Sequence, residues 1–351
     1  MTDLAYRELA RRLDALPNGF PPTESGVELR LLRYIFEPEE AALASGMSAT
    51  PALAQEIALQ AGLELAQARR LLKGMVRKGL LGVHREQEGL RFHLIPWVIG
   101  IYENQLPRLD AELASLVEAY FKEVGALGYA SPPIHRVLPV GEAIPFELGI
   151  YVHDEARALI ENAKSWGVRN CICRVQQKLV GKGCDRPVEN CLVFAPVEQA
   201  FTNSPVDRAI SKEEALRILQ EAEDAGLVHT TGNWRDGHSY ICNCCTCCCG
   251  VLRGLAEFHS PTAVANSGYR ASVDAALCVG CGACLERCQF GALAMPADVC
   301  EVDGNRCVGC GLCATVCPAE ALSLVRLSES PFLPANVQAW GEARQQSRGR
   351  R

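Results

Sequence analysis

A helical period of apolar residues runs through positions 1–16 and is broken by Pro17-Asn18-Gly19 and Pro21-Pro22, which predicts one amphipathic helix. Residues 27–36 (VELRLLRYIF) predict a second. Thr50 is a suitable N-cap and Pro51 suits the first helical position, so a third helix is expected to run to Ala61, with Gly62 making the turn. A longer helix is expected from Glu64 to Lys78, closed by Gly79, with Leu65, Ala68, Leu72, Met75 and Val76 as its buried stripe. The period then drops to two: Leu80–His84 and Leu90–Leu94 flank a turn at Glu86–Gly89, which reads as a hairpin. Further helices are expected over residues 108–124, ending near Gly125, and after an Asp154 cap, stopping before Gly167. Ser131-Pro-Pro through Gly149 reads as a linker with short extended pieces. Ser211-Lys-Glu-Glu214 is a capping box for a helix ending at Gly226. The tail after Leu327, with Pro331, Pro334 and a basic end from Arg344 to Arg351, is expected to be mobile or to reach a partner.

Composition narrows the picture. The chain has 351 residues, 48% of them hydrophobic, and a net charge of −6. Sizeable cores are possible, and an acidic balance argues against nucleic acid as the main partner. No apolar stretch approaches the ~20 residues that cross a bilayer, so no membrane span is expected. The opening residues are polar, and the 19 cysteines are best read as metal ligands in a reducing, anaerobic cytoplasm.

The order helix, helix, helix, hairpin over residues 25–96 resembles a winged helix-turn-helix domain of the MarR type. That resemblance implies a recognition helix with Gln67, Arg70, Lys73 and Arg77 on its outer face, of which Arg70, Lys73 and Arg77 are the candidate nucleic-acid contacts. The charge signal is weak: over residues 25–95 nine Lys or Arg face eight Asp or Glu, a net of +1. A solvated helix face, or a docking or dimerisation surface, accounts for the same residues.

The C-terminal region carries the sharpest chemistry. Cys278-Val-Gly-Cys281-Gly-Ala-Cys284-Leu-Glu-Arg-Cys288 and Cys307-Val-Gly-Cys310-Gly-Leu-Cys313-Ala-Thr-Val-Cys317 both read C-x2-C-x2-C-x3-C, 29 residues apart. Residues 278–295 and 307–324 match at nine of eighteen positions. A zinc ribbon would instead pair two C-x2-C knuckles across a longer gap. Residues 268–326 resemble the bacterial two-cluster ferredoxin domain. The resemblance implies two [4Fe–4S] clusters, the fourth cysteine of each run serving the other cluster. Cys278, Cys281, Cys284 and Cys317 would hold one, and Cys307, Cys310, Cys313 and Cys288 the other. Pro318 follows Cys317 as the family pattern has it, but Gln289 follows Cys288, which weakens that turn. Cys300, between the runs, reads as a buried structural cysteine.

Two further groups lie upstream. Cys171, Cys173, Cys184 and Cys191 count to one candidate metal site, with Arg174 placed to offset thiolate charge. Cys242, Cys244, Cys245, Cys247, Cys248 and Cys249 crowd six thiols into eight residues. Soft thiolates select an iron–sulfur cluster or zinc, and a redox-active thiol site is the alternative. Alternating side chains keep all six from facing one metal, so register decides among Cys244, Cys245, Cys247 and Cys248. Residues 150–260 look similar to uncharacterised cysteine-rich iron–sulfur proteins of anaerobes.

These readings make an α+β multidomain chain. Residues 1–125 form a helical, winged-helix-like domain, 126–265 a cysteine-rich α/β middle domain, 266–327 a ferredoxin-like dicluster domain and 328–351 a flexible basic tail. The leading expectation is an electron carrier or electron-transfer subunit that docks a redox partner protein. A redox enzyme centred on the middle cysteines and an iron–sulfur redox-sensing transcription regulator are the alternatives.

Overall fold

The structure is a computed structural model describing residues 2–127, 130–145, 155–329 and 332–348. It is mixed α/β and divides into two compact units, residues 1–127 with 176–181 and residues 128–175 with 182–351.

The first unit opens with α1 (Thr2–Asp14) and α2 (Val27–Ile35), as the apolar period predicted. A helix that the pattern did not announce comes next, α3 (Pro38–Ser45). Pro38 occupies its first position, and the Glu40 carboxylate accepts the Glu37 N–H at 3.0 Å. Thr50 does not cap the next helix. Ala52–Leu53 form a short strand, β1, paired with Phe92 and Arg91, so α4 (Ala54–Ala61) starts later, with Glu56 accepting the Leu53 N–H at 2.7 Å. Then come α5 (Leu65–Arg77), β2 (Leu81–Glu86) and β3 (Gly89–Leu94), giving an antiparallel sheet of order β1-β3-β2. Ala68, Leu72 and Met75 are the buried stripe of α5. The last helix of the unit, α6 (Ala111–Leu127), runs straight through Gly125, where an end was expected. Its Tyr120 packs with Phe20 and Trp97 in an aromatic core, with ring centroids 4.9–6.3 Å apart.

The second unit is built on a seven-stranded sheet. In chain order its elements are β4 (His135–Val137), α7 (Ala156–Glu161), β5 (Ser165–Asn170), α8 (Ile172–Leu179), β6 (Glu189–Ala195), β7 (Arg208–Ile210), α9 (Lys212–Asp224), β8 (Val228–Gly232), β9 (Tyr240–Cys244), α10 (Gly250–Ala256) and β10 (Val264–Ala265). The strand order is β10-β4-β8-β9-β6-β5-β7, with only β10 and β4 parallel. The segment expected as a linker thus supplies an interior strand, because all three residues of β4 are buried between two neighbours. Asp154 lies outside the described residues; the helix placed there, α7, ends at Glu161, and Gly167 belongs to β5. Ser211 caps α9 as predicted, its hydroxyl accepting the Glu214 N–H. Residues 176–181, which run from the second half of α8 into the turn beyond it, belong to the first unit, where Gln176 donates to Ala114 O at 2.9 Å.

The ferredoxin-like segment holds β11 (Tyr269–Val273), α11 (Ala283–Arg287), β12 (Leu293–Ala294), β13 (Glu301–Val302) and β14 (Leu322–Arg326). Within this segment Ser267 N–H donates to Val308 O and Asn266 to Cys307 O, while Val140 N–H, just after β4, donates to Cys310 O; all of these residues belong to the second unit. The tail carries a helix, α12 (Val337–Arg348): Trp340 is buried and donates to Pro133 O at 2.9 Å.

Candidate metal centres

All 19 cysteines are free thiols. The two C-terminal runs repeat one backbone design. Shifting by 29 residues relates Gly280 to Gly309 and Gly282 to Gly311, all four with positive φ between 68° and 82°. The same shift maps the β11–β14 pair Val273↔Leu322 onto the β12–β13 pair Leu293↔Val302. Ala292 N–H donates to Cys288 Sγ at 3.4 Å, and Ala321 N–H to Cys317 Sγ at 3.3 Å. Gly280 and Gly309 are needed for space as well as for φ: an added Cβ would overlap the carbonyl oxygen of Asp298 or of Tyr269.

Each half surrounds a cavity. The first is lined by Cys278, Cys281, Cys284 and Cys317 with Val273, Met295 and Leu322 among its apolar walls. The second is lined by Cys307, Cys310, Cys313 and Cys288 with Phe290, Val308 and Leu312. The fourth cysteine of each run therefore stands at the other run's cavity. Four thiols, apolar walls and backbone N–H groups directed at sulfur suit a cubane cluster. Burial pushes the Cys310 thiol up to about 12 and raises Cys313. Loading either site must displace protons.

Cys300 is buried as expected, yet it also lines the first cavity. Its N–H donates to Cys278 Sγ at 3.4 Å and its Sγ lies 3.6 Å from that of Cys284. The 29-residue shift places Ala271 at the corresponding wall of the second cavity. That internal comparison was available in the sequence and marks Cys300 as a feature of one site alone.

The ten middle cysteines sort differently from their order in the chain. Cys184 leaves Cys171, Cys173 and Cys191 and joins Cys245, Cys247 and Cys248, the four sulfurs lying within 4.8 Å of one another. Individual separations are 4.0 Å (Cys184–Cys245), 3.7 Å (Cys184–Cys248) and 3.8 Å (Cys247–Cys248). The cause is the end of β9. Cys242 and Cys244 share one strand face, after which a turn closed by Cys249 N–H to Cys245 O curls the next thiols into a knuckle. Cys244, grouped with these from the sequence, faces elsewhere. Hydrogen bonds from Cys247 and Cys248 hold Cys245 far below the usual thiol range. Donation to Cys245 raises Cys247 to about 11, and Cys248 is raised by donating to Cys245 and Cys247.

The other six are neighbours around a ring: Cys171 interacts with Cys173 and Cys191, Cys191 with Cys242, Cys242 with Cys244, Cys244 with Cys249 and Cys249 with Cys173. Two members are acidic: Cys171, held well below its usual range by Cys173 and Cys191, and Cys244, lowered to about 6 by Cys242 and Cys249. Arg174 lies beside them, 2% exposed. Burial works against its charge, but Cys171, Cys245, Cys244 and Cys191 outweigh that and keep it protonated. A bulge in β6 at Asn190 turns that side chain toward Arg174.

Gln289, the departure from the family pattern, joins the two regions. Its Oε1 accepts the Thr246 N–H at 2.9 Å and its Nε2 donates to Gly226 O. Thr246 stands inside the knuckle, between Cys245 and Cys247.

In the first unit Arg70, Lys73 and Arg77 are all exposed along α5. A groove in the unit, about 470 Å³, is lined mainly by apolar side chains with Glu8 and Glu39, and no thiol or histidine lines it. Among the described residues no helix is long and apolar enough to cross a membrane.

Residues 277–321 match the 4Fe-4S dicluster domain family. The match covers one segment of the chain, and it implies [4Fe–4S] binding and an iron–sulfur electron-transfer role for that segment. No curated protein and no solved structure matches the chain.

Proposed function

We propose that this protein transfers electrons through two [4Fe–4S] clusters, as a carrier or subunit of an anaerobic redox system. Cys278, Cys281, Cys284 and Cys317 would hold one cluster, and Cys307, Cys310, Cys313 and Cys288 the other. The observation that carries the reading is the pair of cavities, each lined by three cysteines of one run and the fourth of the other. Such a cluster, when bound, takes up and releases single electrons. The chain's own residues orient the thiolates, exclude water with apolar walls and direct N–H groups at Cys288 and Cys317, which favours the more reduced state. Anaerobic reconstitution should yield about eight irons from this segment and cubane EPR signals on reduction. Absence of iron uptake, or zinc at those eight thiols, overturns the proposal.

The knuckle Cys184, Cys245, Cys247 and Cys248 suits one tetrahedral ion. A Zn–S bond of about 2.3 Å places sulfurs about 3.8 Å apart, close to the 3.7–4.0 Å separations found. The first unit, with helices α1 to α6 and the three-stranded sheet β1-β3-β2, is read as a docking surface for the redox partner. Nucleic-acid binding through Arg70, Lys73 and Arg77 is a second reading, favoured by their shared exposure. Salt-sensitive binding to duplex DNA, lost in a variant with all three changed to Ala, would select it over docking.

A further inference from the structure

The ring of six thiols is left without a role by the two cavities and the knuckle. Its geometry comes from register. Leu192 of β6 pairs with Ile241 of β9, which sets Cys191 opposite Cys242, while alternation brings Cys244 to the same face as Cys242. Cys171 ends the path from β5, where Arg169 pairs with Cys191. Cys249 precedes α10 and reaches back to Cys173 and Cys244.

Three observations point to a bound group. First, the register of β5, β6 and β9 and the start of α10 bring six thiols together, each interacting with its neighbours around the loop; six exceed the four ligands that one tetrahedral ion uses, so the ring suits several metal atoms. Second, Arg174 is a buried cation with no carboxylate partner among the described residues. Its bonds go to Pro187 O at 2.9 Å, Asn190 Oδ1 at 2.9 Å and Asn243 O at 2.6 Å, all neutral, and its buried Nε has no acceptor. A buried guanidinium is tolerated only beside an anion, and a metal centre with many thiolate ligands is one. Third, Cys242, Cys244 and Cys249 belong to the same apolar core as Cys288 and Cys310 of the second cavity, with Val308, Leu312 and Phe290. Zinc has no redox chemistry; a dry core shared with ligand positions for a cubane suits a centre that has. Thr230 Oγ1, 3.5 Å from Cys244 Sγ, supplies outer support.

We propose that Cys171, Cys173, Cys191, Cys242, Cys244 and Cys249 hold a polynuclear iron–sulfur centre with Arg174 as its counter-charge, separate from the C-terminal pair and from the knuckle. Iron and sulfide are counted, with Mössbauer spectra, on the full chain loaded anaerobically with ⁵⁷Fe and inorganic sulfide. The Cys191→Ala/Cys242→Ala variant should lose roughly four or more irons while the EPR of the C-terminal pair persists. Arg174→Gln should lose the same spectral component in part, and Arg174→Lys should restore it. Cys281→Ala/Cys310→Ala should leave that component in place, so failure of the C-terminal reading is distinguishable from failure of this one. If the double ring variant does not fold, Cys173→Ser, at a half-buried position, provides the same reading. Unchanged iron in a folded ring variant, zinc at the ring, or six thiols that alkylate freely in the iron-loaded wild type overturns the proposal.

Discussion

Gln289→Pro restores the family pattern at the turn after Cys288, and it should nonetheless impair the protein. The backbone at Cys288 (φ −78°, ψ 105°) nearly repeats that at Cys317 (φ −83°, ψ 106°), which does precede a proline. Among the described residues the Gln289 N–H donates to nothing, so the ring of proline costs no backbone bond there. The loss is in the side chain: the bond from the Thr246 N–H at 2.9 Å and the bond to Gly226 O both vanish. At about 1 kcal/mol each, this removes about 2 kcal/mol from the conformation that presents Cys245, Cys247 and Cys248. That corresponds to roughly thirtyfold in affinity if it falls wholly on the metal-bound state, within the range seen when groups supporting metal ligands are removed. The assay is anaerobic competition between the zinc-loaded chain and a colorimetric chelator, wild type against variant, with EPR of the reduced C-terminal clusters as control. Weakened zinc retention with unchanged EPR is expected. Equal retention in both proteins would refute the coupling between this turn and the knuckle, and a lost EPR signal would refute the claim that proline fits.

Gly309→Ala should destabilise the second cavity by more than about 2 kcal/mol, since a left-handed alanine costs about 1–2 kcal/mol before its overlap with Tyr269 O is counted; denaturant midpoints of the metal-loaded protein measure it. Cys300→Ala should keep both clusters but lower the potential of one by about 20–40 mV, the worth of one weak bond to sulfur, leaving the other in place in an EPR-monitored titration. Zinc affinity at the knuckle should rise with pH between about 6 and 8. Cys247, at about 11, and Cys248, raised further, each surrender a proton on binding, so affinity should gain at least roughly a hundredfold per pH unit and fall equally as pH drops.

The spacing of the C-terminal cysteines carried the site into view because three of the four thiols at each cavity fall on one short loop, where sequence distance is spatial distance, and the repeat supplies the fourth. The middle cysteines behaved otherwise. Cys184 sits 61 residues from Cys245, and only the paths of β6 and β9 bring it there. The division between Cys244 and Cys245 depends on the residue at which β9 stops, and nothing in a run of near-continuous cysteines marks that point. Likewise β4 hides among prolines and glycines, its role set by neighbours far along the chain rather than by its three residues. In the first unit the strong period of α5 and the hairpin were readable, whereas β1 was masked by Thr50-Pro51, a good local cap overruled by pairing with β3.

Because each C-terminal pocket borrows its last sulfur from the opposite half, the order of synthesis matters. Cys278 emerges from the ribosome first, yet its enclosure waits for Cys317, after the intervening pocket has all four of its own walls. The compartment begun earliest is thus completed last, and a nascent chain cut off before residue 317 would carry one finished compartment and one left gaping.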